Sequence, residues 1–196
     1  LGRKRPASEV ADEVIDFWFE TAGPKRWYAA SPGFDARVRR LFARAVEDNA
    51  RLWWQSGHPW EDTAYGQFAL ILMFDQFTRN IWRGSGHAFA HDELARHLAW
   101  QMIEHGYDWV IPEERRAFVY MPFMHSEEIT DQDLCVELAG ERLSGTGTRD
   151  HAIKHREVIR QFGRFPYRNE ALGRVSTPEE IAYLEGGGYA PGRKRG

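Results

Sequence analysis

The hydrophobic pattern of this chain is organised around one stretch near its middle. Residues 68–74 are seven consecutive apolar side chains, so a helix formed here has no polar face and must be buried on all sides. The run is too short to cross a bilayer, which needs about 20 such residues. We therefore predict a central core helix from about Glu61 to Trp82, stopped by the glycines of the segment 84–86.

Amphipathic segments separated by glycine and proline breaks make up the rest of the chain. Residues 94–103 have the clearest helical period of apolar positions, and Thr177-Pro178-Glu179-Glu180 is a capping box with Thr177 as the N-cap of a last helix. No run of alternating β-branched residues predicts a strand. We predict an all-α fold of about eight antiparallel-packed helices in a single domain, with an ordered core over about residues 8–186 and flexible basic tails.

Composition and charge narrow the class of protein. Of the 196 residues, 42% are hydrophobic and the formal net charge is −3, which predicts a globular protein without a basic nucleic-acid surface. The lone cysteine, Cys135, lies on an apolar stripe, where we expect a packed core thiol. Because no apolar leader or membrane-length span is present, we expect a cytoplasmic protein with neither a membrane nor a nucleic-acid partner.

Charged residues follow the apolar run directly. Asp75, Arg79 and Arg83 recur at i, i+4 and i+8, a spacing that places them along one face of the central helix. Charged groups attached to the most apolar helix must be paired or must face a cavity, because an unpaired buried charge is costly. We predict that Asp75 is buried and ion-paired.

Four longer segments carry a resemblance that covers nearly the whole chain: residues 74–83, 120–127, 162–169 and 172–180. Together and in this order they resemble a bacterial family known only as domain of unknown function 924. The resemblance implies an all-α fold grouped with tetratricopeptide-like superhelices, and it brings no established activity. Tyr167 stands where the family commonly has histidine, which argues against a catalytic role at this position.

The same four segments contain more arginines than acids. Guanidinium groups bind carboxylates and phosphates in a forked geometry, so the surplus predicts a pocket for a small anionic ligand. The predicted ligand-binding residues are Asp75, Arg79, Asn80, Arg83, His155, Arg164, Arg168, Asn169 and Arg174, and the predicted catalytic residues are His125, as general base, and Glu127. At least three of six side chains should line one cavity: Arg79, Arg83, Arg164, Arg168, His125 and Glu127.

Other interpretations of these residues stay open. Asp75 and Glu127 could partner the arginines in a purely structural network, with the surplus absorbed by Asp12, Asp16, Glu61 or Asp92. A tetratricopeptide-like groove for a protein partner is the second functional class. His151 and His155 have the spacing of a two-ligand metal face on an apolar stripe, but no established metal motif includes them, so we assign neither metal nor cofactor. Whether the protein is an enzyme is left open.

Overall fold

The computed structural model of this chain describes residues 7–145 and 147–191. Helices and short turns account for this part of the chain, and within it there is no β-strand, which confirms the all-α prediction. The basic clusters at residues 3–5 and 193–195, predicted to be flexible, lie outside the described residues. None of the described helices combines the length and the apolar content that crossing a membrane requires.

The helical elements follow one another with short connections. The α-helices are α1 (Ala7–Asp16), α2 (Pro24–Trp27), α3 (Pro32–Ser56), α4 (Ala64–Ile71), α5 (Thr78–Ile81), α6 (Asp92–Glu104), α7 (Glu113–Met124), α8 (Ile129–Arg142), α9 (Thr148–Phe162) and α10 (Pro178–Glu185). Single π-helical turns span Phe17–Ala22 and Leu72–Phe77, and 3₁₀ turns span Pro59–Asp62, Gly86–Phe89, Tyr107–Val110 and Pro166–Arg168.

The central helix consists of α4, the π-helical turn Leu72–Phe77 and α5. It begins at Thr63, whose hydroxyl accepts a hydrogen bond from the Gly66 amide at 3.1 Å. The whole apolar run, residues 68–74, is buried, as its unbroken hydrophobicity predicts. Helix α4 packs against α1 and α6, and α5 packs against α3. Asp75 lies within this π-helical turn. Because π-helical turns are rare and recur at functional sites, its position makes Asp75 a candidate for a functional role.

The central helix ends before Arg83, which corrects one prediction. Residue Ile81 is the last helical residue and Trp82 is its C-cap, so Arg83 lies in the following turn. Only Arg79 keeps the predicted i, i+4 contact, with its Nη1 3.2 Å from Oδ1 of Asp75. The apolar run predicted the helix well, but its end was set by the glycine-rich turn that begins at Gly84, where φ is +82°.

The C-terminal helix and the cysteine follow the predictions. The Thr177 hydroxyl accepts from the Glu180 amide at 3.2 Å and the Glu180 carboxylate accepts from the Thr177 amide at 2.8 Å, so the capping box is confirmed. Cys135 is fully buried, and burial raises the pKa of its thiol to about 12. Helices α7, α8 and α9 pack on one another in succession. Their grouping with tetratricopeptide-like arrays stays a prediction.

Candidate functional site

A cavity of about 360 Å³ opens beside the end of the central helix. Two features distinguish its wall: aromatic and apolar side chains form most of it, and its polar members include two arginines, one histidine and no acid. The described residues that line it are Trp27, Tyr28, Gln76, Arg79, Asn80, Arg83, Gly84, Ala88, Phe89, Met121, His125, Tyr167, Ala171, Tyr189 and Pro191. Three of the six side chains predicted to converge are among them.

A buried carboxylate stands directly behind this wall. Asp75 has no exposed surface, its Oδ1 lies 2.7 Å from Nδ1 of His125, and its Oδ2 accepts a hydrogen bond from the Gln76 amide. Burial by itself would raise the pKa of this carboxyl, but the Arg79 charge and the His125 contact outweigh it and lower the pKa to about 2. The predicted burial and ion pairing of Asp75 are therefore present, and the group stays ionised.

The ionised Asp75 fixes the protonation of His125. A carboxylate only accepts hydrogen bonds, so Nδ1 must carry the proton and Nε2 of the neutral ring keeps its lone pair. Burial lowers the pKa of His125 below its ordinary value of 6.5, against the opposing effect of Asp75. The side chain is 13% exposed, and its Nε2 makes no hydrogen bond to the described residues. Because His125 lines the cavity, we infer that Nε2 is the ring nitrogen available there.

Arg79 is held on both sides by acids. Its Nη1 and Nη2 donate to the two carboxylate oxygens of Asp92 at 2.9 and 3.0 Å, and Nη1 also donates to the Asp75 carbonyl. Arg168 lies behind the same wall, where it donates to the His125 carbonyl at 2.8 Å and stacks 4.5 Å from the centre of the Phe89 ring. These two guanidiniums hold the wall in place, and of the two only Arg79 lines the cavity.

Arg83 is more open. Its Nε and Nη2 donate to the Asp35 carboxylate at 2.7 and 3.1 Å, and the Asn80 amide donates to the same carboxylate at 2.8 Å. Its Nη1 donates no hydrogen bond within the described part of the chain, and its side chain is 37% exposed. Arg83 therefore has donor capacity left for a ligand in the cavity.

Four more of the predicted site residues lie together with Glu180 in a separate cluster. It is here called the C-terminal network: Glu127, Arg164, Asn169, Arg174 and Glu180. Arg174 donates to the two Glu127 oxygens at 2.6 and 3.0 Å and to the side-chain oxygen Oδ1 of Asn169 at 2.9 Å. Glu180 accepts from Arg164 at 2.6 and 2.9 Å and from Asn169 at 3.0 Å. None of these five residues lines the cavity. The predicted convergence there is therefore wrong for Glu127 and Arg164, and Asn169 and Arg174, predicted to bind the ligand, also lie outside its wall.

Glu127 illustrates why that prediction failed. It follows the end of α7, and its Oε1 accepts from the Phe165 amide at 2.8 Å, which ties it to the turn after α9. His125, two residues earlier, takes Asp75 as its acid instead. Neighbouring residues at a helix end point in different directions, and the sequence does not state which one faces inward.

The two histidines of α9 do not form a metal face. His155 is buried, with Nδ1 2.7 Å from the His151 carbonyl oxygen and its ring centroid 4.2 Å from that of Tyr189. Burial lowers the pKa of His155 to about 3, so the ring is neutral. His151 is exposed, and the prediction that both side chains point inward is wrong for it. His155 supports the aromatic packing behind Tyr189 and does not line the cavity.

The surplus of bases that motivated the anion prediction is absent from the folded chain. Each motif arginine contacts a carboxylate. The pairs are Arg79 with Asp75 and Asp92, Arg83 with Asp35, Arg164 with Glu180, Arg168 with Asp92, and Arg174 with Glu127. Of the acids proposed to absorb the surplus, Asp92 does so, whereas Asp35 was not foreseen. The cavity wall thus contains hydrogen-bond donors such as Arg79 and Arg83, whereas the carboxylates that pair with them do not line it.

Several lining residues were missed by the sequence analysis. Gln76, Met121 and Tyr167 lie within the segments that carry the family resemblance, which was a usable signal. Trp27 and Tyr28 gave no signal, because an aromatic pair in a loop is as typical of packing as of a binding site.

Comparison with known proteins places the chain in a family. Residues 14–188 match the family described as bacterial protein of unknown function, DUF924. The chain belongs to this family. A solved structure of a protein of unknown function from Agrobacterium tumefaciens is similar, with a TM-score of 0.84 and 38% sequence identity over 92% of this chain and 99% of that one. No curated protein matches the chain. Family membership thus agrees with the resemblance carried by the four segments and assigns no activity.

Proposed function

We propose that this member of the DUF924 family binds a small organic acid in the cavity, with Arg83 as the anchor for the acid group and His125 as the group that exchanges a proton with the ligand. The observation that carries the proposal is the position of His125 in the wall of a cavity lined by aromatic residues. The ionised Asp75 contacts its Nδ1, and its Nε2 has no partner within the described part of the chain.

The size and lining of the cavity support a small molecule. A volume of about 360 Å³ lies at the lower end of the range of about 300–1,000 Å³ found for such sites. The wall provides an apolar surface for the body of a ligand and a few polar groups beside it. The apolar surface comes from Trp27, Phe89, Met121, Tyr167 and Tyr189. This combination is typical of a ligand site and is unusual for a packed core.

The Asp75–His125 pair supports proton exchange. A carboxylate on Nδ1 orients the imidazole and stabilises the imidazolium that forms when Nε2 accepts a proton. The lowered pKa of His125 keeps the ring neutral at pH 7, which is the form that a general base requires. Asp75 contacts the ring and not the cavity, so its role is to position His125.

The choice of an acid as ligand rests on the free donors of the wall. Arg83 keeps Nη1 available beyond its pair with Asp35, and no carboxylate lines the cavity to repel an anion. Since each arginine already has an acid partner, the net positive charge is small, and this favours a single carboxylate over a multiply charged phosphate. A protein-docking groove is less well supported, because Arg79, Asn80, Arg83 and His125 line a single cavity and do not spread along an exposed face.

Ligand binding can be tested with benzoate, an aromatic carboxylate, and with benzamide as its uncharged counterpart. Benzoate should raise the melting temperature in a saturable, salt-sensitive way, and benzamide should do so less. Arg83→Gln should weaken benzoate binding by about tenfold to a hundredfold, the range expected for a charge-assisted hydrogen bond. Titration calorimetry measures both effects, and ¹⁵N NMR of His125 should show a protonated Nδ1 with a titration midpoint below 6.5.

The matched control is Arg160→Gln, since Arg160 is also a partly exposed arginine, at 48%, but lies on α9 away from the cavity wall. Its benzoate affinity should equal that of the wild type. Equal binding of benzoate and benzamide would remove the acid from the proposal. Loss of affinity in both arginine variants alike, or a His125 ring protonated on Nε2 alone, would contradict the site as a whole.

A further inference from the structure

We propose that Glu47, His87 and His91 form a binding site for a divalent transition-metal ion of the zinc class. The three residues are outside the set that lines the cavity, and no motif in the sequence analysis included them. The proposal is independent of what the cavity binds, because it depends only on the donor atoms of these three side chains.

The donor atoms already converge. Oε1 of Glu47 lies 2.9 Å from Nε2 of His87 and 3.3 Å from Nε2 of His91, and the three ligand atoms all lie within 4.8 Å of one another. In a tetrahedral zinc site with bonds of about 2.0–2.1 Å, ligand atoms are about 3.3 Å apart. The Glu47–His91 distance already matches this spacing, and the Glu47–His87 distance is close to it.

The donor set matches the chemistry of such an ion. Two imidazole nitrogens and one carboxylate oxygen are the ligands of many three-residue zinc sites, in which water takes the fourth position. The His91 side chain is 11% exposed, whereas those of His87 and Glu47 are 44% and 39% exposed. One ligand is thus held by packing and the open side leaves access for the ion and its water.

Rigid elements hold the three side chains. Glu47 is on the long helix α3, His87 is in the 3₁₀ turn Gly86–Phe89, and His91 directly precedes α6. The ring centroid of Trp82 lies 4.2 Å from that of His87 and 6.5 Å from that of His91, so this indole packs against both ligands. The 3₁₀ turn and the residues that join it to α6 bring the His87 and His91 ring centroids to 6.0 Å from each other.

An ion at this site would brace the wall of the cavity. His87 is adjacent to Ala88, which lines the cavity, and His91 is adjacent to Asp92, which holds Arg79. Tying the segment 87–91 to α3 would fix both neighbours in place. Metal binding is therefore expected to stabilise the fold against heat, whatever the ligand of the cavity is.

The test uses the full chain without a histidine tag. Zn²⁺ measured by titration calorimetry should bind with a stoichiometry of one ion per chain and raise the melting temperature, and Co²⁺ should give visible absorption bands of nitrogen and oxygen ligation. His87→Ala should weaken Zn²⁺ binding by about tenfold or more, because even the outer-shell partners of metal sites contribute on that scale. Glu47→Gln is the second variant, with the same expected loss and little change in shape.

The control is His151→Ala, which removes another exposed histidine, on α9, and should leave the Zn²⁺ affinity unchanged. Circular dichroism confirms that each variant is folded. Absence of Zn²⁺ binding by the wild type, unchanged affinity in both His87→Ala and Glu47→Gln, or a loss that follows His151→Ala would each overturn the proposal.

Discussion

In the C-terminal network, Glu180 accepts hydrogen bonds from Arg164, Asn169 and the Thr177 amide, so both of its oxygens are engaged within the protein. At the cavity, Nε2 of His125 and Nη1 of Arg83 have no partner among the described residues. Both regions contain arginines of the family segments that are paired with carboxylates. They differ in whether a polar atom is left facing a space that a ligand can enter.

This difference shows how a structural network is distinguished from a site. Satisfied buried pairs give specificity of packing and contribute little net stability, because desolvation offsets their attraction. A positioned group with a free lone pair or donor, in contrast, is available to a ligand. Removing one acid from each region tests this difference.

The largest effect is expected from Asp75→Ala, in the cavity region. The substitution leaves Arg79 and His125 without their buried partner, and we expect a loss of about 3–5 kcal/mol in the free energy of unfolding. Urea denaturation measures it. Asp133→Ala is the control: that carboxylate is 51% exposed, and its loss should cost less than about 1 kcal/mol. A similarly small loss for Asp75→Ala would show that the pair is incidental.

In the C-terminal network, acid should have an intermediate effect through Glu180. The hydrogen bond from Arg164, with that from the Thr177 amide, lowers the pKa of Glu180 from 4.5 to about 2. Since the folded pKa lies below the unfolded one, this stabilisation is complete above pH 4.5 and is lost as the pH falls towards 2. The stability difference between the wild type and Glu180→Gln should therefore shrink across this window in urea titrations. A difference that is constant with pH would contradict the assignment.

The smallest effect is expected from Thr177→Ala, at the edge of the same network. The substitution removes the side-chain cap of α10 and should cost about 1 kcal/mol. Thr177→Ser keeps the hydroxyl, so its stability should stay close to that of the wild type. Equal losses in the two variants would show that the methyl group, and not the cap, is what stabilises this position.

Local rules explain what could be predicted. The apolar run 68–74 implied a buried helix, the Thr177–Glu180 spacing implied a capping box, and the position of Asp75 after the run implied a buried ion pair. Each of these depends on residues a few positions apart, where helical geometry alone decides which side chains meet. The cavity needed more, because only two of the predicted arginines, Arg79 and Arg83, line it.

The amino-acid sequence was sufficient to predict that the chain is helical, that residues 68–74 form a buried helix, and that Asp75 needs a partner. The partners of the charged residues could be identified only from the packing of the helices in three dimensions. Asp35 meets Arg83 across 48 residues, and Glu47 meets His87 across 40, because α3 packs beside the end of the central helix and the turn that follows it. Hydrophobic periodicity predicts which face of a helix is buried. Which two helix faces pack against each other depends on the packing of the whole core.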